Sequence, residues 1–132
     1  MWWTQFSAHV WYDTPEFREN FKKLLRQWVK ERRNSPSVVM WGLQNESTLP
    51  KEFAEECSEI IREMDPTART MRVITTCNGG DGTDWNVIQN WSGTYGGDVN
   101  KYGRELSQKN QLLNGEYGAW RSIGLHLSLI HI

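Results

Sequence analysis

The chain has 132 residues, with 15 Lys or Arg and 16 Asp or Glu, so its formal net charge is −1. This balance argues against a nucleic-acid partner or a membrane surface that binds through bulk charge. No apolar run is long enough for a transmembrane helix, and the two cysteines are too few for a disulfide scaffold or a four-thiolate zinc site. Tryptophan is abundant, with 8 residues, but indoles serve cores, partners and sugar faces alike, so composition does not select a function.

The first third of the chain predicts a strand and then a helix. Residues 2–10 favour a short strand and a loop. The sequence Thr14-Pro15-Glu16 is a helix start, because Thr caps, Pro fits the first helical position and an acidic residue suits the positive end of the dipole. Apolar residues then recur at helical spacing as far as Val29, and Asn34-Ser35-Pro36 ends the helix.

The remaining elements alternate in the same way. Residues 38–43 form a continuous apolar run, which is typical of a strand buried on both faces. A second helix is predicted over 50–64 and is stopped by Asp65-Pro66. Further predictions are strands over 71–77, 86–89 and 111–115, a Gly-rich loop over 78–83 and a weak helix over 98–111. This alternation predicts an α/β fold with a parallel sheet and helices outside it.

Three side chains are expected to serve the core. Trp28 lies on the apolar stripe of the first helix, and Cys57 on that of the second, where it is expected to be a small buried hydrophobe. Trp41 lies within the apolar strand run and is expected either in a barrel interior or in helix packing.

Two short motifs place carboxylates at predicted strand ends. They are WGLQNES over 41–47 and LLNGEYGAW over 112–120. In parallel α/β folds the carboxyl ends of the strands meet the ligand, so Glu46 and Glu116 are expected on one rim. Two carboxylates are the minimum needed to hydrolyse an acetal, since one protonates the leaving oxygen and the other stabilises or traps the oxocarbenium-like centre.

The order and spacing of these motifs are similar to those of a known family. Asn45-Glu46, followed 70 residues after Glu46 by Glu116 in a Gly-Glu-Tyr-Gly context, resembles the catalytic half of glycoside hydrolase family 2. That family includes β-galactosidases, β-glucuronidases and β-mannosidases. The resemblance implies a partial (β/α)8 TIM barrel over residues 1–126, from about strand three to strand seven and incomplete at both ends.

The resemblance also implies roles for individual residues. Glu46 would be the general acid/base, Asn45 would hold the 2-hydroxyl of the sugar, and Glu116 would be the nucleophile that forms a covalent glycosyl-enzyme. The carboxyl groups would then lie about 5–5.5 Å apart. The other candidates for substrate binding are His9, Asn90, Trp91, Tyr95 and Trp120. Neither a metal nor a cofactor is expected.

A complete barrel of this type needs about 250 residues, so the chain is expected to be a fragment of a longer enzyme and inactive alone. The missing parts would be the other barrel strands and the β-sandwich domains that precede the barrel in the family. Residues 127–132 form an apolar tail that we interpret as unrelated to the fold, as in an assembly artefact. The expected substrate is a β-glycoside of the β-galactosidase type, and the sequence does not indicate a compartment.

Two alternatives remain open from the sequence. A non-catalytic carbohydrate-binding module would also use many tryptophans. Another retaining barrel hydrolase of the same clan, similar to a cellulase or a mannanase, would carry the same two glutamates.

Overall fold

The computed structural model describes residues 2–5, 13–45, 47, 49–76, 82–90 and 111–117. The elements in chain order are β1 (Trp2–Gln5), α1 (Pro15–Arg32), β2 (Val38–Gly42), α2 (Lys51–Met64), a 3₁₀ helix (Pro66–Arg69), β3 (Val73–Thr76), β4 (Trp85–Asn90) and β5 (Gln111–Tyr117). The predicted strands and first two helices are present, and the short 3₁₀ helix is an addition. The helix predicted over 98–111 lies outside the described residues.

The five strands form one sheet in the order β1-β2-β3-β4-β5, and every neighbouring pair is parallel. The predicted α/β class with a parallel sheet is therefore confirmed. Because the spatial order follows the chain order without a reversal, the sheet is singly wound, as in a β/α barrel. All the strands therefore end at the same edge, which we call the carboxyl edge.

Helix α1 begins and ends where its local chemistry predicts. The Thr14 hydroxyl accepts a hydrogen bond from the Phe17 N–H at 3.2 Å, and Pro15 occupies the first turn. At the other end the Arg33 N–H donates to the Val29 carbonyl at 2.9 Å. The helix stops before Pro36, because a proline disfavours helical backbone at the residue before it.

The core lies between the sheet and the two helices. Its fully buried members come from the sheet and from both helices: Leu25, Val29, Trp41, Phe53, Cys57, Ile61 and Ile74. Trp28 of α1 meets Trp41 of β2 edge-to-face, with ring centroids 4.9 Å apart. Trp28 is thus a core residue as predicted, and Trp41 takes the helix-packing alternative. The expectation for Cys57 is also confirmed.

Strands β3 and β4 are joined by residues 77–84. The connection can be short because β4 begins beside the end of β3, with Thr75 opposite Trp85. Asp84 extends this pairing: its N–H donates to the Ile74 carbonyl at 2.9 Å, and its carboxylate accepts from the Ile74 N–H at 2.8 Å. Arg62 of α2 holds the other oxygen of Asp84 at 2.7 Å.

A buried ion pair lies near the opposite, amino edge of the sheet. Asp65, 3% exposed, accepts from Arg72 at 2.8 Å and from the Trp41 indole N–H at 2.9 Å. Its other oxygen caps the 3₁₀ helix by accepting from the backbone N–H and the hydroxyl of Thr67, the second residue of that helix. Burial alone would raise the pKa of Asp65, but these hydrogen bonds and the charge of Arg72 outweigh it and lower that pKa.

Candidate active site

The carboxyl end of β2 carries the first motif. One residue beyond the strand, the Leu43 N–H still donates to the Thr75 carbonyl of β3 at 2.9 Å, and the Leu43 side chain is fully buried. The chain returns to the core at Leu49, just before α2. Between Leu43 and Leu49 the described residues are Gln44, Asn45 and Ser47.

One of these polar side chains is fully buried. Gln44 is 1% exposed, and its carboxamide Nε2 donates to the Ser47 carbonyl at 2.9 Å. Asn45 is half-buried. Sequence reasoning did not select Gln44. The available signal was its position, where the apolar run of β2 gives way to a polar residue directly before Asn45.

The second motif lies in β5. Glu116 is the residue before the last of this strand, and its register partner in β4 is Gln89. The register shifts between Ile88 and Gln89, which leaves Gly115 as an extra residue on β5. The predicted strand ended at residue 115, whereas the observed strand continues through Glu116. Bulges of this kind recur beside active sites, where they change the direction of the chain.

The two motifs share the carboxyl edge but not neighbouring strands. Strands β3 and β4 lie between β2 and β5, and three strand spacings of about 4.8 Å amount to about 14 Å along a flat sheet. In a closed β/α barrel, the curvature of the sheet makes such a gap shorter and turns the strand ends toward one opening. The expected 5–5.5 Å between carboxyl groups stays a prediction, because Glu46 lies outside the described residues.

The other candidates are placed as follows. Asn90 is the last residue of β4, so its backbone also lies at the carboxyl edge. The remaining candidates lie outside the described residues: His9, Trp91, Tyr95 and Trp120. Across the described part of the chain, no three His, Cys, Asp or Glu side chains cluster as metal ligands. None of the helices seen in these ranges has the length and apolar character required to cross a membrane.

A surface cavity of about 420 Å³ lies at the amino edge, away from both motifs. Its charged lining is already neutralised. Arg62 pairs with Glu59 at 2.8 Å and with Asp84 at 2.7 Å, and Arg69 pairs with Glu59 at 3.2 Å. The remaining guanidinium, that of Arg72, pairs with buried Asp65. This cavity is therefore a poor site for a charged ligand, and the carboxyl edge is the candidate site.

The described fold is that of a singly wound parallel α/β sheet, as in a segment of a β/α barrel, and candidate functional residues follow its strands at the carboxyl edge. Residues 2–125 match the sequence family described as "Glycosyl hydrolases family 2, TIM barrel domain". The chain belongs to this family, as the resemblance of its two motifs indicated.

Individual relatives agree with the family. A β-glucuronidase of Bacteroides fragilis is 29% identical over 126 residues, covering 84% of this chain and 18% of that protein. The apo structure of β-glucuronidase 3 of Bacteroides uniformis superposes with a TM-score of 0.69 at 21% identity, covering 95% of this chain and 18% of that one. A family 2 β-galacturonidase from Eisenbergiella tayi, bound to galacturonate, gives a TM-score of 0.62 at 20% identity, covering 89% of this chain and 24% of that one. The chain spans about a fifth of the length of these relatives.

Proposed function

We propose that this chain carries both catalytic carboxylates of a retaining β-glycoside hydrolase, on strands that correspond to about the third to the seventh of the barrel. The observation that carries the proposal is the shared carboxyl edge of β2 and β5, in a chain of the family 2 barrel. Glu46 follows the first of these strands, and Glu116 lies at the end of the second.

The chemistry proceeds in two displacements. Glu46 donates a proton to the glycosidic oxygen while the Glu116 carboxylate attacks the anomeric carbon, so the bond to the leaving alcohol breaks and a glycosyl ester forms. Glu46 then takes a proton from water, which attacks the same carbon and releases the sugar with its original configuration. Asn45 holds the 2-hydroxyl. The site must keep Glu116 ionised and Glu46 protonated at the start of each cycle.

The comparisons change which sugar we expect in the substrate. The curated relative named above is a β-glucuronidase, not a β-galactosidase, so β-glucuronides become the first class of substrate to test. We keep the other candidate residues from the sequence as proposed sugar contacts: His9, Asn90, Trp91, Tyr95 and Trp120. The family match also favours family 2 over a cellulase- or mannanase-like barrel.

Covalent labelling tests the nucleophile. The full-length reading frame that contains these residues is incubated with a fluorosugar inhibitor of the glucuronide series, and the adduct is located by peptide mass mapping. We expect one adduct on Glu116 that is lost in Glu116→Gln. The matched control is Glu63→Gln, an exposed carboxylate on α2, which should label normally. Undiminished labelling of Glu116→Gln would reject the assignment.

Leaving-group dependence tests the acid. Glu46→Ala should lose activity most on substrates with poor leaving groups, because these require proton donation. Equal losses on good and poor leaving groups would reject the acid role. A carbohydrate-binding module predicts a third pattern, in which the unmodified protein binds sugar without turnover and binding survives loss of both glutamates.

We further propose that the 132 residues are inactive alone. Within the described sheet, β1 and β5 are edge strands with unpaired backbone groups, and such edges are prone to association. The isolated chain should therefore aggregate or melt without cooperativity. A monomeric, cooperatively melting and active sample would contradict this. We place residues 127–132 outside the barrel, so their removal from an active protein should leave its kcat/KM unchanged.

A further inference from the structure

We propose that Gln89 is a positioning residue for the nucleophile: as the register partner of Glu116 on the neighbouring strand, it supplies a carboxamide donor that keeps the Glu116 carboxylate ionised and oriented for attack. This inference rests on the proposed function, since it assumes that Glu116 is the nucleophile.

The pairing of β4 with β5 places the two residues opposite each other. Val87 of β4 is paired with Leu113 of β5, and further along the same two strands Gln89 is paired with Glu116. Neighbouring strands lie about 4.8 Å apart. Two long polar side chains at paired positions can therefore form a hydrogen bond, provided that both positions lie on the same face of the sheet.

An extra residue on β5 puts Glu116 on the same face as Gln89. Successive residues of a strand alternate between the two faces, so Gln89 shares the face of Val87. In a regular strand Glu116, three residues after Leu113, would lie on the opposite face from Leu113. The register shift leaves Gly115 as an extra residue, and Glu116 returns to the face of Leu113 and Val87.

This shared face is the one opposite the helices. Ile74 of β3 belongs to the core that packs against the helices, so the next residue, Thr75, lies on the other face. Thr75 is paired with Trp85 of β4, and Gln89, four residues after Trp85, lies on the same face again. In a β/α barrel this face is the interior, and its carboxyl end faces the active site.

The chemistry of the inner face changes toward the carboxyl edge. On β4 the apolar residues Trp85 and Val87 precede Gln89, and on β5 Leu113 precedes Glu116. A carboxamide inside a barrel requires hydrogen-bond partners, because burying it unpaired costs free energy. An ionised carboxylate can only accept hydrogen bonds, and a hydrogen bond donated to it favours the ionised form. That is the form in which the nucleophile attacks the anomeric carbon.

The proposed donor acts on one measurable quantity, the acid limb of the pH profile of kcat/KM. At low pH, protonation of the nucleophile stops the reaction, and loss of a hydrogen bond to the charged form moves this protonation to higher pH. A general loss of folded protein instead lowers the rate by the same factor at every pH. The midpoint of the acid limb therefore separates a role at the nucleophile from a structural role.

The test compares Gln89→Met with Gln111→Met in the full-length protein. Methionine keeps the length of the side chain but cannot donate a hydrogen bond. Gln111 is the matched control, because it begins β5 and, as the register partner of Trp85, lies on the same face at the amino edge. The substrate is an aryl β-glucuronide with a good leaving group, which departs with little help from the acid.

For Gln89→Met we expect the midpoint of the acid limb to rise by about one pH unit, with a smaller loss of kcat/KM above the limb than below it. Gln111→Met should leave the midpoint unchanged. An unchanged midpoint in Gln89→Met, a shift to lower pH, or an equal loss at every pH would overturn the positioning role. The midpoint does not depend on the amount of folded protein, so a reduced yield of the variant leaves the test intact.

A cationic replacement tests the direction of the effect. Gln89→Lys keeps a donor and adds a positive charge opposite Glu116, so the acid limb should move to lower pH than in Gln89→Met. The rate of covalent labelling by the fluorosugar inhibitor should show the same shifts with pH, because labelling also requires ionised Glu116. If both variants moved the limb equally to higher pH, the change would not follow the chemistry of the donor, and the inference would be wrong.

Failure of the proposed function and failure of this role are distinguishable. If the unmodified protein forms no adduct with the fluorosugar inhibitor, the proposed function itself is wrong. If the adduct forms on Glu116 but Gln89→Met leaves the acid limb in place, only the role of Gln89 is wrong.

Discussion

Replacing Asp65 with Asn removes the charge that joins Arg72 and the Trp41 indole near the amino edge of the sheet. Asp65 is 3% exposed, and the Arg72 side chain is 11% exposed, so both charges lie away from water. Arg72 also donates to the carbonyls of Arg33 and Ser35, at 2.7 Å each. The ion pair therefore ties the chain segments that enter β2 and β3 to the end of α2.

The loss of stability expected for Asp65→Asn can be derived from the burial of this ion pair. Removing one partner of a buried ion pair typically destabilises a protein by 3–5 kcal/mol, because the other charge is left uncompensated. Arg72 keeps its two carbonyl partners, so we expect about 3 kcal/mol, near the lower end of that range. For a domain of barrel size this is a fall of about 6–12 °C in the midpoint of thermal unfolding.

The loss of stability caused by Asp65→Asn should become smaller as the pH falls. The pKa of Asp65 is lower in the folded state than its ordinary value. Its contribution to stability is therefore fully present above the unfolded pKa of about 3.9 and is lost as the pH falls through the folded pKa. The difference in stability between the unmodified protein and Asp65→Asn should be constant near neutral pH and should narrow below about pH 4.

Calorimetry of the full-length protein at several pH values measures the fall in the unfolding midpoint and its dependence on pH. Glu63→Gln is the control for loss of an exposed carboxylate. If Asp65→Asn lowers the barrel transition no more than the control does, or if the difference widens in acid, the reasoning about this ion pair is refuted.

Three further predictions concern the helix layer. Gly82→Ala should destabilise the protein by more than about 1–2 kcal/mol in chemical unfolding, because φ is +80° and a Cβ would lie 2.6 Å from the Lys51 carbonyl; a neutral result would contradict this. Cys57 should resist thiol reagents at pH 8 until the protein unfolds, because burial, with a smaller part from Glu56, raises its pKa to about 12; mass mapping of native protein decides. Lys22→Glu should lower the melting temperature, and adding Glu56→Lys should recover part of it at low salt, since the two side chains pair at 2.8 Å between the helices; no coupling would argue against the pair.

The sequence predicted best the features that depend on neighbouring residues. The start of α1 follows from Thr14 and Pro15 alone, and the end of α2 from Pro66. The 3₁₀ helix was missed, although the Asp65 side chain that caps it is local. The pairing of Asp84 with Ile74 was not predictable, because it requires the end of β3 and the start of β4 to lie side by side.

The candidate site was likewise predictable only where it depends on local sequence. Asn45, Glu46 and Glu116 were selected from short motifs at strand ends, and the described strands bring those ends to one edge. The extension of β5 through Glu116 depends on the extra residue Gly115, which only the register with β4 reveals. The burial of Gln44 and its hydrogen bond to the Ser47 carbonyl depend on tertiary packing, which a pattern of residue types does not contain.

The final prediction compares the two edges of the sheet, because we expect the amino edge to determine stability and the carboxyl edge to determine catalysis. Asp65 and Arg72 lie where the chain enters β2 and β3, whereas the proposed acid, Glu46, follows the end of β2. In a β/α barrel, a small change at the carboxyl edge should have little effect on the amino edge, and a small change at the amino edge should have little effect on the carboxyl edge. Asp65→Asn should therefore lower the melting temperature while preserving the leaving-group dependence measured on folded protein at low temperature. Glu46→Ala should alter that dependence with a much smaller change in melting temperature. If each variant changed both quantities to a similar extent, β2 would transmit strain from base to rim through Trp41, and the site could not be treated as an independent part of the barrel.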